Sequence, residues 1–403
     1  MDGTVLKGLR VVEVSAFVAA PLGGMTLAQL GAEVIRIDPP GGGLDYRRWP
    51  VTDDGASLFW AGLNKSKRSV AIDITRPEGR ELAQALITAP GEDAGILLTN
   101  FPPRGWLDYD QLKERRADLI QLTIQGDRHG GSAVDYTVNP RIGLPQLTGP
   151  VDHDGVVNHV LPAWDLITGQ MAAVGLLAAE RERRRSGNGG HIKLALEDVA
   201  LAVLGHLGFI AEAQLGRERP RYGNDLFGAF GRDFITGDGA RVMVVGLTLK
   251  QWRALCKATG IEAQIAALQT QLGVDFDREG ERFQAREAIA ALIAPWIASR
   301  KLGEVSTAFD AHGVCWSRYQ SIAQLVAHDP ACSATNPIFT RVQQPGVGEF
   351  LAPALPLRFD EVCVPAQPAP ALGADTEAVL TGVLGLGTAE VGRLQQSGVV
   401  ATS

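Results

Sequence analysis

Residues 9–38 read LRVVEVSAFVAAPLGGMTLAQLGAEVIRID and carry the pattern of a strand, a helix and a second strand. Leu9–Ser15 is an apolar run rich in β-branched residues, which predicts a buried strand. Pro21–Leu30 is a helical stretch that stops at Gly31, and Val34–Asp38 predicts a second strand. Two short strands joined by a helix favour a parallel pair, because the crossover helix returns the chain to the starting end of the sheet.

The alternation of strand and helix continues toward the middle of the chain. Further strands are predicted at residues 69–74, 95–100, 119–125 and 191–196. A long helix is predicted from Asp165 to Arg185, apolar at its start and basic in its last turn, with Gly187 just beyond its end. Strands separated by crossover helices predict an α/β fold with a doubly wound parallel sheet.

The pattern of predicted secondary structure changes near residue 222, where the alternation of strands and helices gives way to a hairpin followed by helices. Two strands are predicted around Gly237-Asp238-Gly239, several helices follow, and a second hairpin is predicted at residues 345–348. We therefore expect a large domain from 1–221, a small α+β domain from 222–329, and a return to the large domain from 330–403.

Composition excludes several classes of protein. The 403 residues are 45% hydrophobic and 21% charged with a net charge of −7, which argues against disorder and against a general nucleic-acid or membrane-surface partner. The four cysteines are scattered, and no metal-binding spacing is present, so no metal site is expected. Without a leader-like start or a long apolar run, a cytoplasmic protein is expected.

Familiar catalytic motifs are missing, and Asp165 is the residue that stands out. The first strand–helix turn lacks the GxGxxG pattern of dinucleotide-binding proteins. Asp165 lies between a proline-containing loop and an apolar helix. One interpretation is an ordinary helix cap. The other is a nucleophile that the helix terminus keeps ionised at the rim of the sheet, with Phe17, Trp60 and Trp164 as possible cavity walls.

Basic residues near strand ends are the second group of candidate site residues. One interpretation is a solvated surface, and the other is a set of cations that neutralises the phosphates of coenzyme A (CoA). The group consists of Arg36, Arg47, Arg48, Lys65, Lys67, Arg68 and Arg104.

With these residues in view, the chain resembles the class III CoA-transferase family over nearly its whole length. The matching segments include AAPLGGMTLAQLGAEVIRIDPPGGG, LNKSKRSVAIDITRPEGRE, LLTNFPPRG and LPAWDLITGQMAAVGLLAAERERRRSGNGGHIKLALED. The resemblance implies a Rossmann-like large domain, a small inserted domain and an interlocked homodimer. It also implies an acyl-CoA substrate and no permanently bound cofactor.

The resemblance also implies roles for particular residues. The family's nucleophilic aspartate falls on Asp165. Its substrate- and CoA-contacting positions fall on Val18, Ile72, Thr75, Asn100, Phe101, Pro102 and Asp135. Arg47 and Arg104 join this set as the expected partners of the CoA phosphates.

Segments such as GGGLDYRRWPV and VVNHVLPAWD differ from the general family pattern and point to one reaction. They resemble the branch that moves CoA from C1 to C4 of 2-methylfumaryl-CoA (mesaconyl-CoA) in the autotrophic 3-hydroxypropionate cycle of carbon fixation. An intermolecular CoA-transferase, a racemase of 2-methylacyl-CoA and a non-catalytic CoA-binding protein are the alternatives. Racemisation is disfavoured because Val134 stands where racemases of this fold carry a histidine.

Overall fold

The computed structural model describes residues 4–403. In chain order, the strands are β1 (Arg10–Val14), β2 (Glu33–Asp38), β3 (Arg68–Ile72), β4 (Ile96–Thr99), β5 (Ile120–Gln125), β6 (Gly190–Ala195), β7 (Phe230–Ile235), β8 (Arg241–Gly246), β9 (Cys315–Arg318), β10 (Phe339–Gln344), β11 (Gly348–Pro353) and β12 (Val400–Ala401).

The α-helices are α1 (Ala19–Gln29), α2 (Leu58–Leu63), α3 (Pro77–Ile87), α4 (Tyr109–Arg115), α5 (Asp135–Arg141), α6 (Leu144–Leu147), α7 (Ala163–Ser186), α8 (Leu196–His206), α9 (Phe209–Gln214), α10 (Leu249–Thr259), α11 (Glu262–Leu272), α12 (Glu279–Gln284), α13 (Arg286–Ala298), α14 (Leu302–His312), α15 (Ile322–His328), α16 (Thr376–Leu384) and α17 (Thr388–Gln396). Short 3₁₀ turns lie at Gly105–Leu107 and Pro330–Cys332.

Among the described residues, seven strands form one sheet in the order β12-β3-β2-β1-β4-β5-β6. Strands β1 to β6 pair in parallel, and β12 pairs antiparallel with β3 at the edge. The chain builds outward from β1 to β3, then crosses to the other side of β1 and continues through β4, β5 and β6. The topological switch point therefore lies between β1 and β4. The predicted α/β fold with a doubly wound parallel sheet is confirmed.

Both faces of this sheet are covered, which explains its nearly continuous apolar strands. Val11 and Leu98 point to the face that packs against α1 and α7. Val12 and Leu97 point to the opposite face, where α3, α16 and α17 pack. All four side chains are at most 2% exposed. An alternating polar face would leave one layer of helices without a partner.

Helices α1 and α7 approach each other through glycines. A Cβ atom on Gly23 would lie 2.9 Å from the carbonyl oxygen of Gly169, and one on Gly169 would lie 2.6 Å from the carbonyl oxygen of Ala19. Glycine inside a helix costs up to about 1 kcal/mol relative to alanine, so these positions trade helix propensity for close packing. The contact brings the amino-terminal turn of α7 beside that of α1.

The described residues separate into two compact units. The first, up to residue 142 with 160–211 and 329–403, holds the seven-stranded sheet and the β10–β11 hairpin. The second, 143–159 with 212–328, holds the antiparallel sheet β7-β8-β9 and a core that includes Phe230 and Phe309. Both predicted hairpins are confirmed. The predicted domain boundaries at residues 222 and 329 stay predictions.

The glycine contact predicts opposite effects of one substitution at two positions. Gly169→Ala lowers the free energy of unfolding by about 1–3 kcal/mol, because the added methyl group forces α7 away from α1. Gly392→Ala, inside α17 where a Cβ meets nothing within 4 Å, raises it by about 0.4–1 kcal/mol. Urea denaturation monitored by circular dichroism measures both values, and equal effects at the two positions would contradict the packing argument.

Candidate active site

A cavity of about 710 Å³ opens at the switch point of the sheet. The loop after β1 supplies Ala16–Ala19, and the loop after β4 supplies Asn100 and Phe101. The two loops are tied together, because the Ala16 N–H donates to Asn100 Oδ1 at 3.0 Å and Asn100 Nδ2 donates to the Ala16 carbonyl at 2.7 Å. The carboxyl edge of a parallel sheet at such a point is where α/β folds bind ligands.

Asp165 lines this cavity from the first turn of α7. The helix begins at Ala163, so Asp165 is inside it, and Pro162 stands at the N-cap position. Asp135 does the capping instead: its Oδ2 accepts the N–H of Trp164 at 2.7 Å and that of Asp165 at 3.3 Å. The helix-cap interpretation of Asp165 is therefore wrong. Within residues 4–403, no side chain or backbone N–H donates to its carboxylate.

The surroundings of Asp165 disfavour its charged form. Burial and the nearby Asp135 raise the pKa of Asp165 from 3.8 to about 7, against the opposing influence of Arg48. The expectation that the helix terminus keeps this carboxylate ionised is met only in part, because desolvation and a like charge raise its pKa. At neutral pH the protonated and ionised forms coexist, and only the ionised form is a nucleophile.

Arg48 supplies the positive charge of the cavity lining. Its side chain is exposed, and its guanidinium lies over two aromatic rings, 5.6 Å from the centroid of Phe17 and 5.3 Å from that of Phe59. Such cation–π contacts hold the group in place and leave its N–H donors at the edge. The sequence analysis places both Arg47 and Arg48 in the basic group but expects Arg47 as the CoA-phosphate partner, whereas Arg48 is the one that lines this cavity.

A buried ionic cluster holds the cavity wall from behind. Arg36 is 1% exposed, and its guanidinium donates to Asp38 at 2.9 Å and to Asp45 at 2.9 Å. Asp45 in turn accepts the N–H of Phe17 at 3.0 Å. Phe17 has a φ of 70°, a conformation that costs a non-glycine residue energy, so the cluster stabilises a strained turn beside Asp165.

Three of the basic residues are therefore unavailable to a ligand. Arg36 is bound by carboxylates, and Lys67 donates to Glu13 at 2.9 Å while 5% exposed. Lys65 is also 5% exposed, and burial lowers the pKa of its amine to about 8. The expectation that these three side chains bind phosphates is wrong, because buried cations already satisfied by protein oxygens cannot reach a ligand at the surface.

The structure brings half of the predicted site residues into this cavity. Val18, Asn100, Phe101, Asp135 and Asp165 line it, together with Phe17 from the expected walls. Leu44, Trp49, Phe59, Tyr136 and Leu196 also line it and were not among the expected site residues. Their exposure inside a cavity depends on the packing of segments far apart in the chain.

The remaining predicted residues lie elsewhere. Arg47 lines a separate cavity of about 690 Å³ together with Trp60. Ile72 is buried at the end of β3, while Thr75, Pro102 and Arg104 are exposed in loops that follow β3 and β4. Trp164 is buried and donates from Nε1 to Asn139 at 3.2 Å. The proposed contacts of these residues with CoA stay predictions.

The described residues show neither a metal site nor a membrane-spanning helix. No group of three or more His, Cys, Asp or Glu side chains within residues 4–403 is arranged to hold a metal ion. No helix in the same part of the chain is both long enough and apolar enough to cross a lipid bilayer.

Comparison with known proteins gives a consistent result. Residues 6–376 match the model of CoA-transferase family III. The chain is 62% identical to 2-methylfumaryl-CoA isomerase of Chloroflexus aurantiacus over 98% of both chains. It is 30% identical to succinate–glutarate CoA-transferase of Agrobacterium fabrum over 82% of this chain and 83% of that one. Among solved structures, a CaiB/BaiF family protein from Brucella suis matches with a TM-score of 0.75 and 25% identity, covering 94% of this chain and 99% of that one.

The raised pKa of Asp165 predicts a pH-dependent cost to stability. Between the ordinary pKa of 3.8 and the folded value of about 7, the unfolded chain releases this proton while the folded chain retains it, so stability falls as pH rises. Asp165→Asn removes that cost. Its melting temperature should exceed that of the unmodified protein at pH 8, and the difference should vanish as the pH approaches 4.

Asp135→Asn serves as the matched variant in the same melting series. Its amide oxygen still caps α7, but the like charge beside Asp165 is gone, so the pH range over which Asp165 destabilises the fold should move downward. An unchanged range would mean that burial alone raises the pKa of Asp165.

Proposed function

This chain belongs to CoA-transferase family III, and we propose that it moves CoA from the C1 to the C4 carboxylate within one molecule of 2-methylfumaryl-CoA. The relative that is 62% identical over 98% of the chain is named 2-methylfumaryl-CoA isomerase, and this similarity supports the same substrate here. The observation that carries the chemistry is the Asp165 carboxylate, which accepts no hydrogen bond from residues 4–403 and faces a cavity able to admit an acyl chain.

The first half of the proposed reaction transfers CoA to the protein. The ionised Asp165 attacks the thioester carbonyl, and the carbon–sulfur bond breaks to give a mixed anhydride and a CoA thiolate. Departure is feasible because a thiol has a pKa of about 8.5. The thiolate then attacks the aspartyl carbonyl of the anhydride. An Asp165–CoA thioester forms, and the dicarboxylate is released into the cavity.

The second half runs the same steps from the other end of the substrate. The released dicarboxylate turns, and its C4 carboxylate attacks the Asp165 thioester. A second anhydride and a thiolate form, the thiolate attacks the C4 carbonyl, and the Asp165 carboxylate is restored. One thioester replaces another, so the protein supplies positioning and water exclusion rather than a driving force.

The environment of Asp165 suits this cycle. A carboxylate with a pKa of about 7 is more basic, and hence more nucleophilic, than an ordinary aspartate, yet a large fraction is ionised near neutral pH. Phe17, Phe59 and Trp49 contribute apolar surface to the cavity lining, where Trp49 is 78% exposed and available to pack against a bound acyl-CoA. Asp135 holds the start of α7 and so positions the nucleophile.

The CoA moiety enters as part of the substrate in this proposal, with no resident cofactor. Its acyl end lies at Asp165, near the loops after β1 and β4. Its nucleotide end reaches along the same carboxyl edge of the sheet toward Ile72 and Thr75 after β3, two strands from β1 or roughly 10 Å. Arg104, exposed after β4, is a cation available to its phosphates.

We also propose that the protein forms a homodimer through α7. Ile167, Met171 and Val174 are exposed on this helix at spacings of four and three residues, which places them on one face. An apolar stripe beside the active-site turn fits burial against a second copy of the chain.

Asp165→Asn and Asp165→Ala are each expected to abolish conversion of the C1 thioester to the C4 thioester, because the acyl acceptor is lost. After substrate is added, mass spectrometry should find CoA on the peptide containing Asp165 in the unmodified protein and not in the variants. Labelled free 2-methylfumarate should stay out of the product. Label in the product thioester would instead support transfer between molecules.

The dimer proposal predicts an effect of charge on α7. Introducing Met171→Glu and Val174→Glu together should lower both the melting temperature and the share of protein that has the mass of two 42.9 kDa chains, as measured by light scattering. Arg185→Glu, near the other end of the same helix, is the control and should leave the mass unchanged. A single-chain mass for the unmodified protein would rule the dimer out.

A further inference from the structure

Arg48 is an exposed cation of the active-site lining that forms no salt bridge with the described residues, although its charge acts on the nearby Asp165. Among residues 4–403, no carboxylate pairs with its guanidinium, and no other Lys or Arg lines the cavity. The neighbouring Arg36 shows the contrast, since Asp38 and Asp45 both bind it. A guanidinium left unpaired next to a nucleophile is a site for an anionic group of the substrate.

The protein holds Arg48 in position without using its side-chain donors. The Arg48 backbone is fixed on both sides: its N–H donates to the Asp45 carbonyl at 3.1 Å, and its carbonyl accepts from Ser57 Oγ at 2.5 Å. The rings of Phe17 and Phe59 contact the side chain through cation–π interactions. The N–H groups at the edge of the planar guanidinium remain available for two parallel hydrogen bonds to a carboxylate.

The substrate of the proposed reaction carries a free carboxylate that needs a binding partner in the cavity. A dicarboxylic acyl thioester has one carbonyl bound to sulfur and one free carboxylate, which is costly to bring into an apolar cavity without a partner. While CoA is attached to the protein, the released acid carries two carboxylates. One must lie at the Asp165 thioester, and the other needs a cation to keep it in the cavity.

We propose that Arg48 binds the free carboxylate of the substrate and makes this site selective for dicarboxylic over monocarboxylic acyl thioesters. This inference rests on the proposed function. The two ends of the acid exchange places during the reaction: the carboxylate that leaves Arg48 attacks the Asp165 thioester, and the one released from Asp165 takes its place at Arg48. One cation thus serves both halves of the transfer.

Succinyl-CoA and butyryl-CoA test this assignment, because their four-carbon acyl chains differ in a terminal carboxylate. Binding is measured by calorimetry in the Asp165→Asn background, where no acylation occurs and no charge at residue 165 complicates the result. This protein should bind succinyl-CoA roughly 10- to 100-fold more tightly than butyryl-CoA, the range expected of hydrogen bonds to a charged group.

Adding Arg48→Met should bring the ratio of the two dissociation constants close to one by weakening succinyl-CoA alone. Arg48→Lys should retain part of the preference, because lysine keeps the charge but loses the planar pair of donors. Arg47→Met is the matched control: it removes the same charge one residue away, and any effect on the CoA moiety weakens both ligands equally and leaves the ratio unchanged.

Three results would overturn the assignment: no preference in the Asp165→Asn protein, a preference that survives Arg48→Met, or equal loss in the Arg48 and Arg47 variants. Binding of butyryl-CoA reports that each variant is folded. Failure of the proposed function can be distinguished from failure of the Arg48 assignment. A protein that does not isomerise 2-methylfumaryl-CoA can still show the Arg48-dependent preference for a dicarboxylic ligand.

Discussion

The buried guanidinium of Arg36 is the interaction on which the active-site wall depends. It lies in β2, is almost fully excluded from solvent, and binds Asp38 on its own strand and Asp45 on the following loop. It also donates to the carbonyl of Ser15 at 3.3 Å, which ties the end of β1 to the same cluster. Breaking such a buried cluster by removing one partner leaves uncompensated charge and costs about 3–5 kcal/mol.

The geometry of the cavity follows from this anchor. Asp45 holds Phe17 in a strained backbone conformation and, through its carbonyl, holds the N–H of Arg48. The aromatic wall and the cation of the cavity are thus both attached to one buried ion cluster. Local strain of this kind persists only where the surrounding structure fixes it, and here it lies next to the proposed nucleophile.

A second constraint comes from the packing of α1 against α7. The glycines at their contact allow the two helix starts to lie side by side, so that Asp165 faces the loop after β1. Two aspartates have separate roles at the start of α7: Asp135 accepts the capping hydrogen bonds, and Asp165 lines the cavity. This division leaves the Asp165 carboxylate without hydrogen bonds from the described residues, and a carboxylate freed from such bonds is a better nucleophile.

Opposing electrostatic influences in the cavity set the pKa of Asp165. Asp135 and burial raise the pKa of Asp165, while Arg48 acts against them. A nucleophile in this balance is basic enough to attack a thioester and still ionises near neutral pH. The arrangement requires residues from the loops after β1 and β2 and from the starts of α5 and α7 to meet at one cavity.

The order of strands and helices, the parallel sheet and the position of Asp165 near the start of a long helix could all be predicted from the sequence. These features depend on local periodicity and on motifs that lie within a few residues of each other. Family resemblance added Val18, Asn100, Phe101 and Asp135, which all line the cavity.

Three-dimensional packing sets which of two adjacent arginines lines the cavity and which aspartate caps α7. It also pairs the buried Arg36 and Lys67 with carboxylates, so that neither is available to a ligand. It likewise sets the pKa of Asp165. Each of these properties depends on neighbours in space that are distant in sequence, such as Asp135 and Asp165 or Phe17 and Phe59. Desolvation and charge–charge interactions act through space, so no spacing along the chain could have revealed them.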